Sequence, residues 1–333
     1  MKVGIYGPNG SGKSNFGIAL FDIVPLLTDK FVDQNVKAPG LFLNRDIKTE
    51  SALFSYEFRE SGNSIIFEYE KDGETHLSSE RLSVNGEDIY DYDYRGKRFR
   101  LSNTQRLVDE NLTFKYFDSN ISVLRYIANN SLLPEASPIK AIMDFVSRML
   151  WFRSVGQNAF IGLESGTTFI EDWIIGNGLV DEFASFLKDT CDINVQLAVS
   201  VAADNRKILI EKHRNGNLIF QQACSNGTAA AQLFYYWMKR FDNISLLFMD
   251  EFDAYYHFAL SARIIELIKK HRNLQAIFTT HNTFLMSNRI LRPDCYFMME
   301  GGRLKSYIEK ADGRELREGH NLEKIYRNGG LNG

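Results

Sequence analysis

The most constraining feature of the chain is the run Gly7-Pro8-Asn9-Gly10-Ser11-Gly12-Lys13-Ser14, which follows the apolar segment KVGIY. Its spacing is G-x-x-x-x-G-K-[ST]. KVGIY reads as a buried strand and residues 15–26 as a helix, and a strand-to-helix turn is the context in which this spacing makes a phosphate-binding loop. Glycines let the backbone curl until its N–H groups point inward, and the helix N-terminus adds a partial positive charge. In such a loop Lys13 contacts the β- and γ-phosphates and Ser14 ligates Mg²⁺ through its hydroxyl. The expected nucleotide-binding segment is therefore Gly7 through Ser14, with Asn15 beside it. The alternative, a glycine-rich turn that happens to contain Lys-Ser, does not account for the strand and helix on either side.

Two later segments complete the chemistry. ISLLFMDE is an apolar run that ends in two acids, as a central parallel strand would. Asp250 is expected to hold Mg²⁺, directly or through water, and Glu251 to polarise the attacking water. The next apolar run, QAIFTTH, ends at Thr279-Thr280-His281-Asn282. Strand C-termini of a parallel sheet converge on the ligand crevice, so His281 is placed to sense a γ-phosphate. Taken alone, a strand end with solvated acids explains the first segment equally well, and a histidine with a structural hydrogen bond explains the second better than a sensor does. Their order after the loop favours the functional reading.

The remainder of the chain supplies a scaffold. Residues 52–100 alternate apolar and polar positions between the turn signals Ser61-Gly62, Asp72-Gly73 and Asn85-Gly86, which predicts an antiparallel β-meander. Residues 119–188 read as helical with breaks, including SPIKAIMDFVSRMLWF, where Ser137-Pro138 starts a helix. Strands return before a helix expected over 228–241, and another helix, over 258–272, joins the two apolar runs. Three boundaries follow: 1–115 for the loop and meander, 116–240 for a helical lobe, and 241–333 for the segment with the acid pair and His281. The three scattered cysteines suggest neither a disulfide framework nor a metal site and fit a reducing, cytoplasmic setting. No stretch is long and apolar enough to span a bilayer, so no membrane partner is expected.

The segment Cys224-Ser225-Asn226-Gly227-Thr228, placed before a helix and upstream of the acid pair, resembles the SSGT form of the ABC signature. The order of phosphate loop, helical lobe, signature, acid pair and histidine resembles the ATPase heads of RecF, SMC and OLD-type proteins. The likeness is greatest to stand-alone ABC-like AAA ATPases of bacterial antiphage and abortive-infection loci. The resemblance implies an α/β P-loop NTPase of the ABC-ATPase head type, with a mixed sheet, an antiparallel meander and a helical lobe insertion. It also implies ATP and Mg²⁺, and a head-to-tail homodimer or higher homo-oligomer. There Ser225, Asn226 and Gly227 would face the partner's nucleotide, and hydrolysis would control a protein effector. Asp253 and His257 resemble the loop that crosses such an interface, although a helix N-cap reads equally well for Asp253.

Departures accompany the likeness. The chain begins at the loop strand, where relatives carry earlier strands that help hold adenine. Residues 44–51 occupy the place of a Q-loop without an obvious glutamine. Neither a long coiled-coil arm nor an OLD-type nuclease domain is expected from these 333 residues. Two other readings stay open: a RecF-like DNA-binding ATPase and a nucleotide-dependent scaffold with little turnover. The cluster Arg95-Gly96-Lys97-Arg98-Phe99-Arg100 would serve the DNA reading, but a solvated hairpin tip is favoured, and the net charge of −3 leaves nucleic acid open without indicating it.

Overall fold

The computed structural model describes residues 1–30, 43, 48–72, 76–103, 112, 118–153, 159–162, 170–254, 256–311 and 321–327. Residues 44–47 of the expected Q-loop position lie outside the described residues, as do Gly73 and Tyr255. The chain divides into two compact units, Met1–Ser14 with Leu150–Gly333, and Asn15–Met149.

The first unit is built on a seven-stranded sheet. β1 (Lys2–Tyr6) lies inside it, with β13 (Gln275–Thr280), the middle strand, and β14 (Tyr296–Glu300) on its two sides, both parallel to it. Next to β13 lies β12 (Leu246–Asp250), again parallel, followed by β7 (Met149–Arg153) and β8 (Ala159–Gly162). β15 (Arg303–Ser306) closes the other edge, antiparallel to β14. β12 is buried at all five positions, as expected of a strand covered on both faces. A three-stranded antiparallel sheet of β9 (Leu197–Val201), β10 (Lys207–His213) and β11 (Gly216–Ile219) stands apart from it.

Helices α5 (Ile170–Gly176), α6 (Val180–Cys191), α7 (Phe220–Ala223), α8 (Asn226–Met238), α9 (Phe258–Lys270), α10 (Tyr307–Lys310) and α11 (Leu322–Arg327) belong to the same unit. α8 is buried nearly all round from Ala230 to Trp237, which makes it the central helix of the core rather than an amphipathic cover. Phe183 and Phe186 of α6 pack on Tyr235, with ring centroids 5.1 and 5.2 Å apart. Each such ring contributes roughly 1.5–3 kcal/mol by leaving water.

One expectation is corrected here. SPIKAIMDFVSRMLWF reads as one helix, but α4 (Pro138–Ser147) stops before Met149, and Met149–Arg153 forms strand β7. Met149, Leu150, Trp151 and Phe152 are all buried. A short run that is apolar on every side fits a doubly covered strand as well as a helix, and periodicity does not separate the two.

The second unit holds the last part of α1 (Lys13–Phe21), α2 (Ile23–Leu27), and the meander of β2 (Ala52–Glu60), β3 (Asn63–Lys71), β4 (Leu77–Val84), β5 (Glu87–Asp93) and β6 (Arg98–Ser102), with α3 (Val123–Asn130) and α4. All four strand pairs are antiparallel. The hairpin tips put Ser61-Gly62 and Asn85-Gly86 at positive φ, the conformation that two-residue turns require.

Glu80 ties the meander to α3. Its carboxylate is wholly buried and accepts hydrogen bonds from Tyr90 Oη (2.6 Å), Tyr94 Oη (3.0 Å) and the backbone N–H groups of Val123 (3.2 Å) and Leu124 (2.8 Å). Ser122 Oγ accepts from the N–H of Arg125. Three of the first-turn donors of α3 are thereby satisfied. Burial pushes the Glu80 carboxyl above its ordinary pKa, and the converging donors pull it back in part. Glu80→Gln removes the charge and one acceptor oxygen from a group that now accepts from two hydroxyls and two backbone N–H groups, the latter able only to donate. It is expected to destabilise the fold by about 1–3 kcal/mol, read as a lower unfolding midpoint in urea. An unchanged midpoint contradicts this role.

Candidate functional site

The site lies where three neighbouring parallel strands end. β1 runs into residues 7–12, β13 into His281 and β12 into Glu251. Tyr6 pairs with Thr280 and Met249 with Phe278, so the residues that follow all leave the same edge of the sheet.

The loop after β1 is shaped by its glycines. Gly10 (φ 75°) and Gly12 (φ 102°) take conformations that L side chains avoid, and a Cβ added at either meets open space. At Gly7 the constraint is steric: an added Cβ would lie 2.6 Å from Ser11 Oγ and 2.7 Å from Met299 O. Pro8, Asn9 and Gly10 are exposed, whereas Ser11 Oγ is buried and has no hydrogen-bond partner among the described residues. Lys13 and Ser14 open α1, followed by the exposed Asn15. Lys13 Nζ folds back to donate to Gly7 O (2.9 Å) and Pro8 O (3.1 Å). Burial lowers the Lys13 pKa, and the charges of Glu251 and Asp250 act in the opposite direction.

At the end of β12, Asp250 is buried and its Oδ1 accepts from Thr279 Oγ1 at 2.7 Å. Glu251, one residue on, has φ 47°, left-handed for a residue with a side chain. That conformation costs about 1–2 kcal/mol. It is held by the Glu251 N–H donating to Thr279 Oγ1 (2.8 Å) and the Phe252 N–H to Thr279 O (3.3 Å). His281 Nε2 lies 3.7 Å from Glu251 Oε1, with both side chains partly exposed.

Asp253 does not cap α9. The cap is His257, whose Nδ1 accepts from the Ala259 N–H at 3.4 Å. Asp253 instead bonds the Thr280 side chain, and burial raises its pKa.

The geometry suits an anion and a cation together. The loop offers open space lined by curled backbone, an orphaned hydroxyl and a partly desolvated ammonium, which fits a polyphosphate. A carboxylate and a serine hydroxyl near it fit a hard cation that keeps water or phosphate oxygens as its other ligands.

Ser225, Asn226 and Gly227 form the start of α8. Ser225 Oγ accepts from the Thr228 N–H at 3.1 Å, and Ser225 and Asn226 are exposed. Among the described residues no hydrogen bond or ion pair links these three to the loop or to the acids. Two of the four cations of the basic cluster are paired locally: Arg95 with Asp72 (2.9 Å), and Arg100 with Asp91 (3.5 Å) and Asp93 (3.4 Å). Sequence reasoning missed the part played by Thr279, because which strand lies beside the acid pair cannot be read from the acid-bearing strand itself.

Residues 2–287 match the family model described as "AAA domain, putative AbiEii toxin, Type IV TA system". No curated protein matches the chain in sequence. Solved structures with similarity include an SmcHead bound to the C-winged helix domain of ScpA (16% identity, 91% of this chain and 88% of that one, TM-score 0.45). Another is the SMC head domain from Thermotoga maritima (16%, 90% and 85%, TM-score 0.40). A third is an Smc head domain with an extended coiled coil bound to the C-terminal domain of ScpA derived from Pyrococcus furiosus (14%, 93% and 91%, TM-score 0.45). Among the described residues no helix is long and apolar enough to cross a membrane.

Gly7→Ala forces its new methyl against a backbone carbonyl, which has little room to give. The expected cost is about 1–3 kcal/mol, the range for overpacking, seen as a lower unfolding midpoint. A variant as stable as the parent contradicts the close approach of Gly7 to Met299.

Proposed function

The chain belongs to the AAA family whose model it matches, with the α/β P-loop NTPase fold of the ABC-ATPase head type, and from that premise we propose that it binds ATP with Mg²⁺ and hydrolyses it. The observation that carries the proposal is that the strands leading to the Lys13 loop, to Asp250 and Glu251, and to His281 lie side by side and end at one edge, with His281 Nε2 3.7 Å from Glu251 Oε1.

In this reading the backbone of Gly7, Pro8, Asn9, Gly10, Ser11 and Gly12 wraps the phosphates, flanked by Asn15. Lys13 Nζ exchanges its carbonyl partners for β- and γ-phosphate oxygens. Ser14 and Asp250 hold Mg²⁺, which when bound neutralises charge on the phosphate oxygens. Glu251 accepts a proton from the attacking water, and His281, beside it, orients that water and registers the γ-phosphate.

Dimerisation is a further part of the proposal. The exposed start of the thirteen-residue α8 offers free N–H groups and a hydroxyl, a good surface for an anion supplied from outside the chain. Two copies pair head to tail, and Ser225, Asn226 and Gly227 of each face the nucleotide of the other, in C2 symmetry. The family description names a toxin of a toxin–antitoxin system. That supports a role in which ATP-driven pairing controls a protein effector, in defence against phage. The three free thiols agree with a cytoplasmic setting. The acid-paired arginines of the meander offer little to a DNA-binding reading.

Glu251→Gln is expected to lower phosphate release by about a hundredfold or more, the usual worth of a general base, while ATP binding is retained. Its mass in solution should double on adding ATP and Mg²⁺. Equal phosphate release from the variant and the parent contradicts the assignment of Glu251. A mass that ignores ATP contradicts the pairing.

A further inference from the structure

Thr279 is fully buried on β13, one residue before that strand ends, yet both acids of the neighbouring strand depend on it. Its hydroxyl oxygen accepts from the Glu251 N–H at 2.8 Å and donates to Asp250 Oδ1 at 2.7 Å. A hydroxyl carries one proton, and a backbone N–H can only donate. The Thr279 proton is therefore committed to the carboxylate, and the direction of the whole chain of bonds is fixed.

We propose that Thr279 is the positioning residue of the site: through one hydroxyl it orients Asp250 toward the metal and holds Glu251 in its left-handed turn. The proposal rests on the ATPase site described above. With Oδ1 accepting from the hydroxyl, rotation of the Asp250 carboxylate is restrained, and its remaining lone pairs would be available to hold Mg²⁺. With its N–H held by the same oxygen, and the Phe252 N–H held by Thr279 O, Glu251 keeps φ 47° and its carboxylate stays beside His281. Partners of this kind, one step behind a metal ligand, typically change metal affinity or activity by tenfold to a hundredfold when removed.

Thr279→Val keeps the shape and removes the hydroxyl, and Thr279→Ser keeps the hydroxyl. The full chain carries the test. For Thr279→Val, the expected result is ATP binding in EDTA equal to wild type. The Mg²⁺ concentration for half-maximal ATP binding should rise by about tenfold or more. kcat should fall by a similar factor, with KM for ATP within about threefold. Thr279→Ser should restore both. A valine variant with wild-type Mg²⁺ half-saturation and kcat overturns the proposal. So does a serine variant impaired as severely as the valine one, because packing rather than the hydroxyl would then be responsible.

A measurement on the wild type needs no variant to fold. The Glu251 amide should exchange its hydrogen slowly with no nucleotide present, and exchange as fast as an exposed loop overturns the clamp. Wild-type protein with no Mg²⁺-dependent ATP binding overturns the ATPase site and the metal half of this proposal. Amide exchange then still decides the clamp on its own.

Discussion

Parallel pairing of β1 with β13, and of β13 with β12, brings the ends of three strands to one edge of the sheet. Everything functional in the chain depends on that register. Lys2 through Tyr6 oppose Ala276 through Thr280, and Leu246 through Met249 oppose Gln275 through Phe278. A slip of one residue would turn each side chain to the opposite face. Thr279 would then lose both Asp250 and the Glu251 amide. The register is held by apolar burial rather than by the polar groups at the strand ends: Ile5, Leu247, Phe248, Ala276 and Phe278 are all buried. The core thus sets the geometry, and the strand ends carry the polar consequences.

The site stores some of that stability as strain. Glu251 sits left-handed without being glycine, and Gly10 and Gly12 bend the loop on the other side of the crevice. The two backbone N–H bonds to Thr279 offset the Glu251 term, since each neutral bond of this kind contributes about 0.5–1.5 kcal/mol. Lys13 likewise sits partly out of water, supported by two carbonyls and by the field of two acids. A loop with an unpartnered hydroxyl and a desolvated ammonium is poised for an anion, and little reorganisation is needed to receive one.

Much of this was legible in the sequence. Glycine spacing marked the loop because only glycine tolerates the φ values it needs. The acid pair stood out because carboxylates rarely follow four consecutive buried apolar residues without a reason. Asn85-Gly86 announced its hairpin through turn chemistry that is local to two residues. What escaped depended on partners distant in sequence. Met149–Arg153 looked helical because its burial comes from elements it does not border in sequence. Nothing local to its alternating strand marks Glu80 as the acid that caps a helix 43 residues later. Asp253 read equally well as an N-cap and as part of an interface loop; the chain turns once more before α9, and His257 takes the cap. Thr279 was visible as part of Thr279-Thr280-His281-Asn282, and its double bond to the acid pair required knowing which strand lay beside which.

The most direct test of the central claim is a crystal structure with a non-hydrolysable ATP analogue and Mn²⁺ in place of Mg²⁺, located by its anomalous signal. The account predicts the manganese peak between the Ser14 hydroxyl and the Asp250 carboxylate, with the γ-phosphate in hydrogen-bond reach of Lys13 Nζ. A peak elsewhere, or a triphosphate that Lys13 and Asp250 do not share, would contradict it.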